Sequence, residues 1–397
     1  MTNNNRPFDN FRLAISKPDY FFGRQKLLAN VMRSPFQVRI ILGGRRLGKT
    51  STLNAIQWTL FNQNSRAFPV LFNLQQEQPE SLDNLRYLLI LRLQEALIQK
   101  QTQSPNAESR LSLRRTYRRL IRQFSGGEIG ISGFKLNVTN PHQERRLIHE
   151  DFRQDLLKII KHLQKHKLEG ICFLLDGAEI IVRQDWANDA WSYLRGLKDT
   201  DTAINPFLGF CFSGYRDLKD YQQRVGSPLL NIADVEWLGT LTESDTRSLI
   251  VQRSQNEDVP LTESGVNTIL DWAGYHPYLT QQLINEIFDD YQMGKSRSTE
   301  SFMLHQQRKH DRDFSAWWDE DQRSYGFSQV EQTVYRTLIQ QREGTAETLA
   351  EQAQFSFGQV ADALEVLTGT GVIHQVDDER YRMGAKLFEE WVVRERR

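Results

Sequence analysis

Two cysteines in 397 residues, no long apolar run and no net charge set the first limits on this chain. Cys172 and Cys211 sit inside apolar, strand-like runs without metal-ligand spacing, so they read as reduced, buried thiols of a cytoplasmic protein rather than a disulfide frame or a zinc site. Nowhere do about eighteen apolar residues follow one another, which argues against a membrane span. The opening Met-Thr-Asn-Asn-Asn-Arg-Pro has no apolar stretch after its charge, so an exported protein is not expected. Fifty Lys and Arg balance fifty Asp and Glu. With no global field toward nucleic acid or an anionic surface, any such contact must come from a local patch. The length allows two or three domains with a sizeable core.

Against this plain background one stretch stands out. Gly43-Gly-Arg-Arg-Leu-Gly-Lys-Thr-Ser51 satisfies G-x-x-x-x-G-K-[ST] and follows the apolar run Val38, Ile40, Ile41, Leu42. It reads as a phosphate-binding P-loop. Gly43, Gly44, Arg45, Arg46, Leu47 and Gly48 form the turn, and backbone N–H groups at the start of the next helix face an anion. Lys49 would reach the outer phosphates of ATP or ADP, the Thr50 hydroxyl would hold Mg2+, and Ser51 continues the site. Upstream, Tyr20-Phe-Phe-Gly-Arg24 is a common entry to such domains, which makes Phe22 and Arg24 candidates beside the base.

Four further apolar runs suggest strands: 68–74, 170–176, 207–214 and 235–241, with amphipathic helices between them. The expected fold class is α/β, a five-stranded parallel sheet covered on both faces within residues 1–241. The third run, Gly170-Ile-Cys-Phe-Leu-Leu-Asp176, ends in a carboxylate where a strand would emerge beside the P-loop, so Asp176 is a second metal candidate. Three residues on, Glu179 is placed to orient an attacking water. Arg216 follows the fourth run, where a cation can sense a terminal phosphate.

Residues 101–150 read as an insertion. They combine an arginine row, Arg114, Arg118 and Arg122 flanked by Arg115 and Arg119, with a hairpin pattern over 128–138. The arginines fit a solvated helix face, or a contact for nucleic acid or an acidic partner. After Thr242 the pattern turns helical, with helices expected over 242–254, 262–273 and 277–293 in a lid extending to about 295. A linker helix carrying Phe314, Trp317 and Trp318 is expected within 296–325. Residues 326–397 give three helices and two short strands flanking Asp377-Asp378, a winged helix-turn-helix. That segment holds twelve acids against eight Lys and Arg. The expected recognition helix offers Gln359, Asp362 and Glu365, which favours a regulatory or protein contact over DNA.

The ordered set GGRRLGKTS, FLLDGAE, FCFSGYR and GYHPY, followed by an acidic winged helix, resembles the STAND class of AAA+-related P-loop ATPases, in its archaeal-type and NACHT-like branch. The resemblance covers about 20–393. It implies a strand order of 5-1-4-3-2, phosphate and metal roles for Lys49 and Thr50, a Walker B role for Asp176 and a catalytic role for Glu179. It also implies a phosphate-sensing role for Arg216 and places His276 and Pro277 near the nucleotide. The family's usual behaviour is a switch, closed with ADP and open with ATP, often with assembly into a homo-oligomer. The fused effector and repeat sensor common in that class are not recognised in this sequence. A separately encoded effector or sensor partner, in a conflict or defence system, is therefore the first expectation. A DNA-binding ATPase resembling origin-recognition or transposition regulators is the alternative, and a binding module with a degenerate site is a third.

Overall fold

The computed structural model describes residues 13–62, 65–103, 149–225, 228–295, 298–319 and 326–396. The arginine row and the hairpin pattern of the insertion lie outside the described residues.

Five parallel strands form the first sheet: β1 (Val38–Leu42), β2 (Ala67–Asn73), β3 (Gly170–Asp176), β4 (Leu208–Gly214) and β5 (Asp234–Trp237). Their order is β2-β3-β4-β1-β5, the 5-1-4-3-2 order that the resemblance implies. All residues of β1 and β4 are buried, as apolar runs covered on both faces must be. At the edge, β5 exposes Asp234, Val235 and Glu236, and charge there discourages pairing with another strand.

On one face lie α1 (Gln25–Arg33) and α2 (Lys49–Asn62), packed on Ile41, Leu174 and both cysteines. Burial pushes the Cys172 thiol up to about 12, so it stays protonated. After β2 comes the short α3 (Leu74–Glu77), then α4 (Leu82–Gln103). The other face is covered by α4, α5 (His149–Gln164) and α7 (Ala187–Asp199), with the one-turn α6 (Glu179–Val182) ahead of α7. Phe173, Phe210 and Phe212 stack along this core, with Trp191 edge-on to Phe212. α8 (Arg216–Val225) follows β4.

The C-terminal half builds a second core. The lid comprises α9 (Glu243–Asn256), α10 (Glu263–Ala273) and α11 (Pro277–Gln292). Thr242 and Thr262 cap the first two, and Pro277 opens the third where its missing N–H costs nothing. Next come two helices rather than one, α12 (Thr299–Lys309) and α13 (Asp311–Trp318), broken at His310. Phe314, Trp317 and Trp318 of α13 are buried against Phe388 and Trp391.

The winged helix follows as α14 (Gln329–Gln341), β6 (Glu343–Thr345), α15 (Ala346–Ala353), α16 (Phe357–Gly369), β7 (Ile373–Gln375), β8 (Arg380–Met383) and α17 (Lys386–Glu395). Its sheet is antiparallel in the order β6-β8-β7. The sequence pattern indicates the first three helices and the wing; β6 and α17 are additional. α17 supplies Leu387, Phe388, Trp391 and Val392 to one core shared with the lid and α13. Each large apolar side chain buried there contributes about 1.5–3 kcal/mol, so lid and winged helix are strongly joined.

Two histidines of the C-terminal half should make stability pH-dependent. His276 is fully buried and stacked on Trp317, and burial lowers its pKa to about 3. His374, half-buried, is lowered to about 4. In the unfolded chain both bind a proton near 6.5, so below that pH the unfolded state holds more protons and stability falls. For His276 the slope approaches about 1.4 kcal/mol per pH unit between these limits. Melting temperatures should drop as the pH falls from 6.5 toward 4.5. An unchanged melting temperature across that window would contradict the neutral, buried state of His276.

Candidate functional site

β1 delivers the chain into the turn 43–48, and α2 begins at Lys49. The turn needs left-handed backbone at Arg46 (φ 67°) and at Gly48 (φ 89°). Lys49 Nζ donates to the carbonyls of Gly43 at 2.7 Å and Gly44 at 3.0 Å. Desolvation lowers its pKa, opposed by the nearby Glu179 and Asp176 carboxylates.

The parallel register brings the acids to this loop. Asp176 ends β3, and its two oxygens accept from Thr50 Oγ1 at 2.7 Å and from Ser213 Oγ, which sits next to last on β4. Gly177 N in turn donates to Ser213 Oγ at 3.2 Å. Thr50, Asp176 and Ser213 thus form one hydrogen-bonded chain across three elements. Its hydroxyl and carboxylate oxygens are the hard donors that suit Mg2+.

Glu179 is 4% exposed at the start of α6, and burial raises its pKa, against the pull of Lys49. Gln75 Nε2 donates to Glu179 Oε1 at 3.3 Å. Gln75 was not singled out in the sequence. It lies on α3, two residues beyond Asn73, which pairs in register with Asp176. Gly177 (φ 78°) permits the approach, since a Cβ there would lie 2.7 Å from Gln75 Cγ. No motif marks such a residue; the strand pairing had to be known first.

Beside the loop is a cavity of about 240 Å³. Arg46 to Thr52 line it, with Phe22 and Arg24, with Leu241, and with Leu249, Pro277 and Tyr278 of the lid. Arg24 borders it, but its guanidinium donates to the carbonyls of Leu238, Gly239 (2.8 Å) and Thr240 (3.0 Å), and burial lowers its pKa to about 10. It holds the turn after β5. Arg45 is exposed, whereas Arg46 lies over the Tyr278 ring at 5.3 Å and pairs with Asp313 at 3.9 Å. Pro277 faces the cavity, while His276 turns into the lid core against Trp317.

Arg216 is placed differently from its neighbours in the sequence reading. It is 7% exposed and pairs with Glu331 of α14, while its Nη1 donates to Gly326 O at 3.0 Å. Glu331 also caps α14, accepting from Ser328 N at 2.9 Å. Around this ion pair the winged helix sits on the P-loop domain. Gly44 N donates to Gly369 O at 3.4 Å, and Thr370 packs on Gly44. Gly369 lies so close to the Trp237 ring that an added Cβ would come within 2.1 Å of it. Glu365 of α16 accepts from Trp237 Nε1 at 2.7 Å and pairs with Lys219 of α8.

Comparison with known proteins agrees with both halves. The structure aligns with the Walker-type ATPase PABY2304 of Pyrococcus abyssi at a TM-score of 0.54 and 14% identity, covering 97% of this chain and 100% of that one. The fold is that of the P-loop ATPases. The ORC1 protein of Aeropyrum pernix, solved in complex with DNA, aligns at a TM-score of 0.42 and 12% identity over 97% of this chain and 96% of that chain. RuvB of Thermotoga maritima, a Holliday junction branch migration motor, aligns at 0.37 and 14% over 96% and 98%. A family model described as the sugar-specific transcriptional regulator TrmB matches residues 322–389, the winged helix. No curated protein matches the sequence. Among the described residues no helix is long and apolar enough to cross a membrane.

Proposed function

We propose that this chain is a regulatory P-loop ATPase in which the nucleotide decides whether the C-terminal winged helix is held against the ATPase domain or released to contact duplex DNA. The contact of Gly369 and Thr370 with Gly44 of the P-loop carries this reading. A triphosphate in the loop acts on the same backbone that seats the winged helix. Lys49 would hold its outer phosphates, Thr50 and Asp176 a magnesium ion, and Glu179, positioned by Gln75, the attacking water. Arg216 serves the winged helix in the seated state and becomes available to a terminal phosphate when Glu331 lets go. Hydrolysis is expected to be slow, because the work lies in the difference between states.

The family match to a transcriptional regulator supports DNA as the output. The acids of α16, which in the sequence speak against DNA, have a second use: Glu365 and Asp362 face Lys219 of the ATPase domain. A separately encoded effector, bound by an ATP-state oligomer, is the second reading, favoured by the exposed acidic wing tip at Asp377, Asp378 and Glu379. Fluorescence anisotropy of a labelled duplex, with ADP and with ATP plus magnesium, tests the choice alongside light scattering. Salt-dependent binding in the ATP state supports the DNA reading. No binding at low salt, with a rise in mass, moves the output to a protein effector. Neither response with saturating nucleotide contradicts both.

A further inference from the structure

Residues 13–15 run as a strap past the P-loop helix, and both backbone groups of Ile15 are taken by α2. Ile15 N donates to Ser51 Oγ at 2.9 Å, and Asn54 Nδ2 donates to Ile15 O at 2.8 Å. Ser51 and Asn54, three apart, share one face of the helix. Leu13, Ala14 and Ile15 line the cavity, as do Tyr20 and Phe21 a few residues on. Further along, Asp19 O accepts from Gln252 of the lid at 3.4 Å, and Phe21 packs edge-on against Trp58 of α2. The strap is therefore part of the cavity wall. Asn54 itself does not line the cavity; it reaches the cavity only through Ile15.

We infer that Ser51 and Asn54 clasp residues 13–15 over the bound nucleotide and that this clasp, with Asn54 as its positioning residue, sets how fast the nucleotide leaves. The inference rests on the nucleotide reading of the cavity. Because Ser51 Oγ accepts from Ile15 N–H, its own proton remains to be donated toward the phosphates, so the strap also orients a P-loop hydroxyl. Detaching the strap removes part of the wall and that orientation together.

The test is the dissociation rate of a fluorescent (mant) ADP from the full chain, chased with excess ADP. Asn54→Ala removes one neutral hydrogen bond, worth about 1 kcal/mol, and should speed release about fivefold with a nearly unchanged melting temperature. Asn54→Asp sets a carboxylate against Ile15 O and should speed it more. Ile15→Pro, which removes the N–H to Ser51, should act in the same direction from the other partner, without touching α2. Release unchanged in Asn54→Ala and Ile15→Pro would overturn the clasp while leaving the nucleotide site standing. A lowered melting temperature with unchanged release would likewise overturn it, assigning Asn54 to stability alone. Failure of the wild-type chain to bind the probe would overturn the nucleotide reading and the clasp with it.

Discussion

Glu331→Gln should loosen the winged helix on the P-loop domain while leaving both folded. Arg216 and Glu331 are 7% and 4% exposed, so the pair is out of water on both sides. Removing one partner of such a pair costs about 3–5 kcal/mol, because the remaining charge stays buried without compensation. The other contacts at this face include the Trp237 Nε1 to Glu365 hydrogen bond at 2.7 Å and the close packing of Gly369 on the Trp237 ring. The Glu365–Lys219 pair has an exposed acid, and the Gly44 to Gly369 hydrogen bond is long at 3.4 Å. The glutamine retains a carbonyl oxygen to accept from Ser328 N, so the cap of α14 survives and the change isolates the ion pair. Ser328→Ala is the control, expected to cost only about 1 kcal/mol. Cleavage near residue 326 by a low dose of protease should rise sharply in Glu331→Gln and hardly at all in Ser328→Ala. Equal resistance of all three proteins would show that the ion pair does not hold the domain.

Replacing the charge at the other end of the site should stop chemistry without stopping binding. Glu179→Gln keeps an oxygen for Gln75 Nε2 but cannot accept a proton from water, so ATP hydrolysis should fall about 10²- to 10⁴-fold while ATP affinity holds. Burial raises the pKa of Glu179 above the usual carboxylate range, the direction that strengthens a carboxylate as a proton acceptor. Lys49→Ala should instead abolish nucleotide binding, since Lys49 is the cation expected on the outer phosphates. Steady-state hydrolysis and equilibrium binding on the two variants separate these effects. Undiminished hydrolysis by the Glu179→Gln protein would remove that residue from the role given to it.

How much of this could be read from the sequence depended on distance along the chain. The P-loop was legible because its whole geometry is local, nine consecutive residues between a buried strand and a helix. The placement of Asp176 and Glu179 was legible because an acid ending an apolar strand, and one three residues on, lie at the sheet's carboxyl edge. Gln75 was not, because its link to Glu179 exists only once β2 pairs with β3. Arg216 shows a different limit. Its position after β4 was readable, but its commitment to Glu331, 115 residues away, depends on how two domains pack. The same packing explains α17, whose Phe388 and Trp391 complete a core begun by Phe314 and Trp317, and the acids of α16, which face a lysine of the P-loop domain. Composition alone could count those acids but not see their partner.

The central claim is that nucleotide at the P-loop and the seat of the winged helix are coupled, and hydrogen exchange tests it most directly. Exchange would be followed in peptides covering 327–331 and 366–372 of the full chain, with ADP and with a non-hydrolysable ATP analogue plus magnesium. Coupling predicts faster exchange at both places with the triphosphate, where the Glu331 cap and the contact of Gly369 and Thr370 with Gly44 give way. Identical exchange in the two saturated states would contradict it.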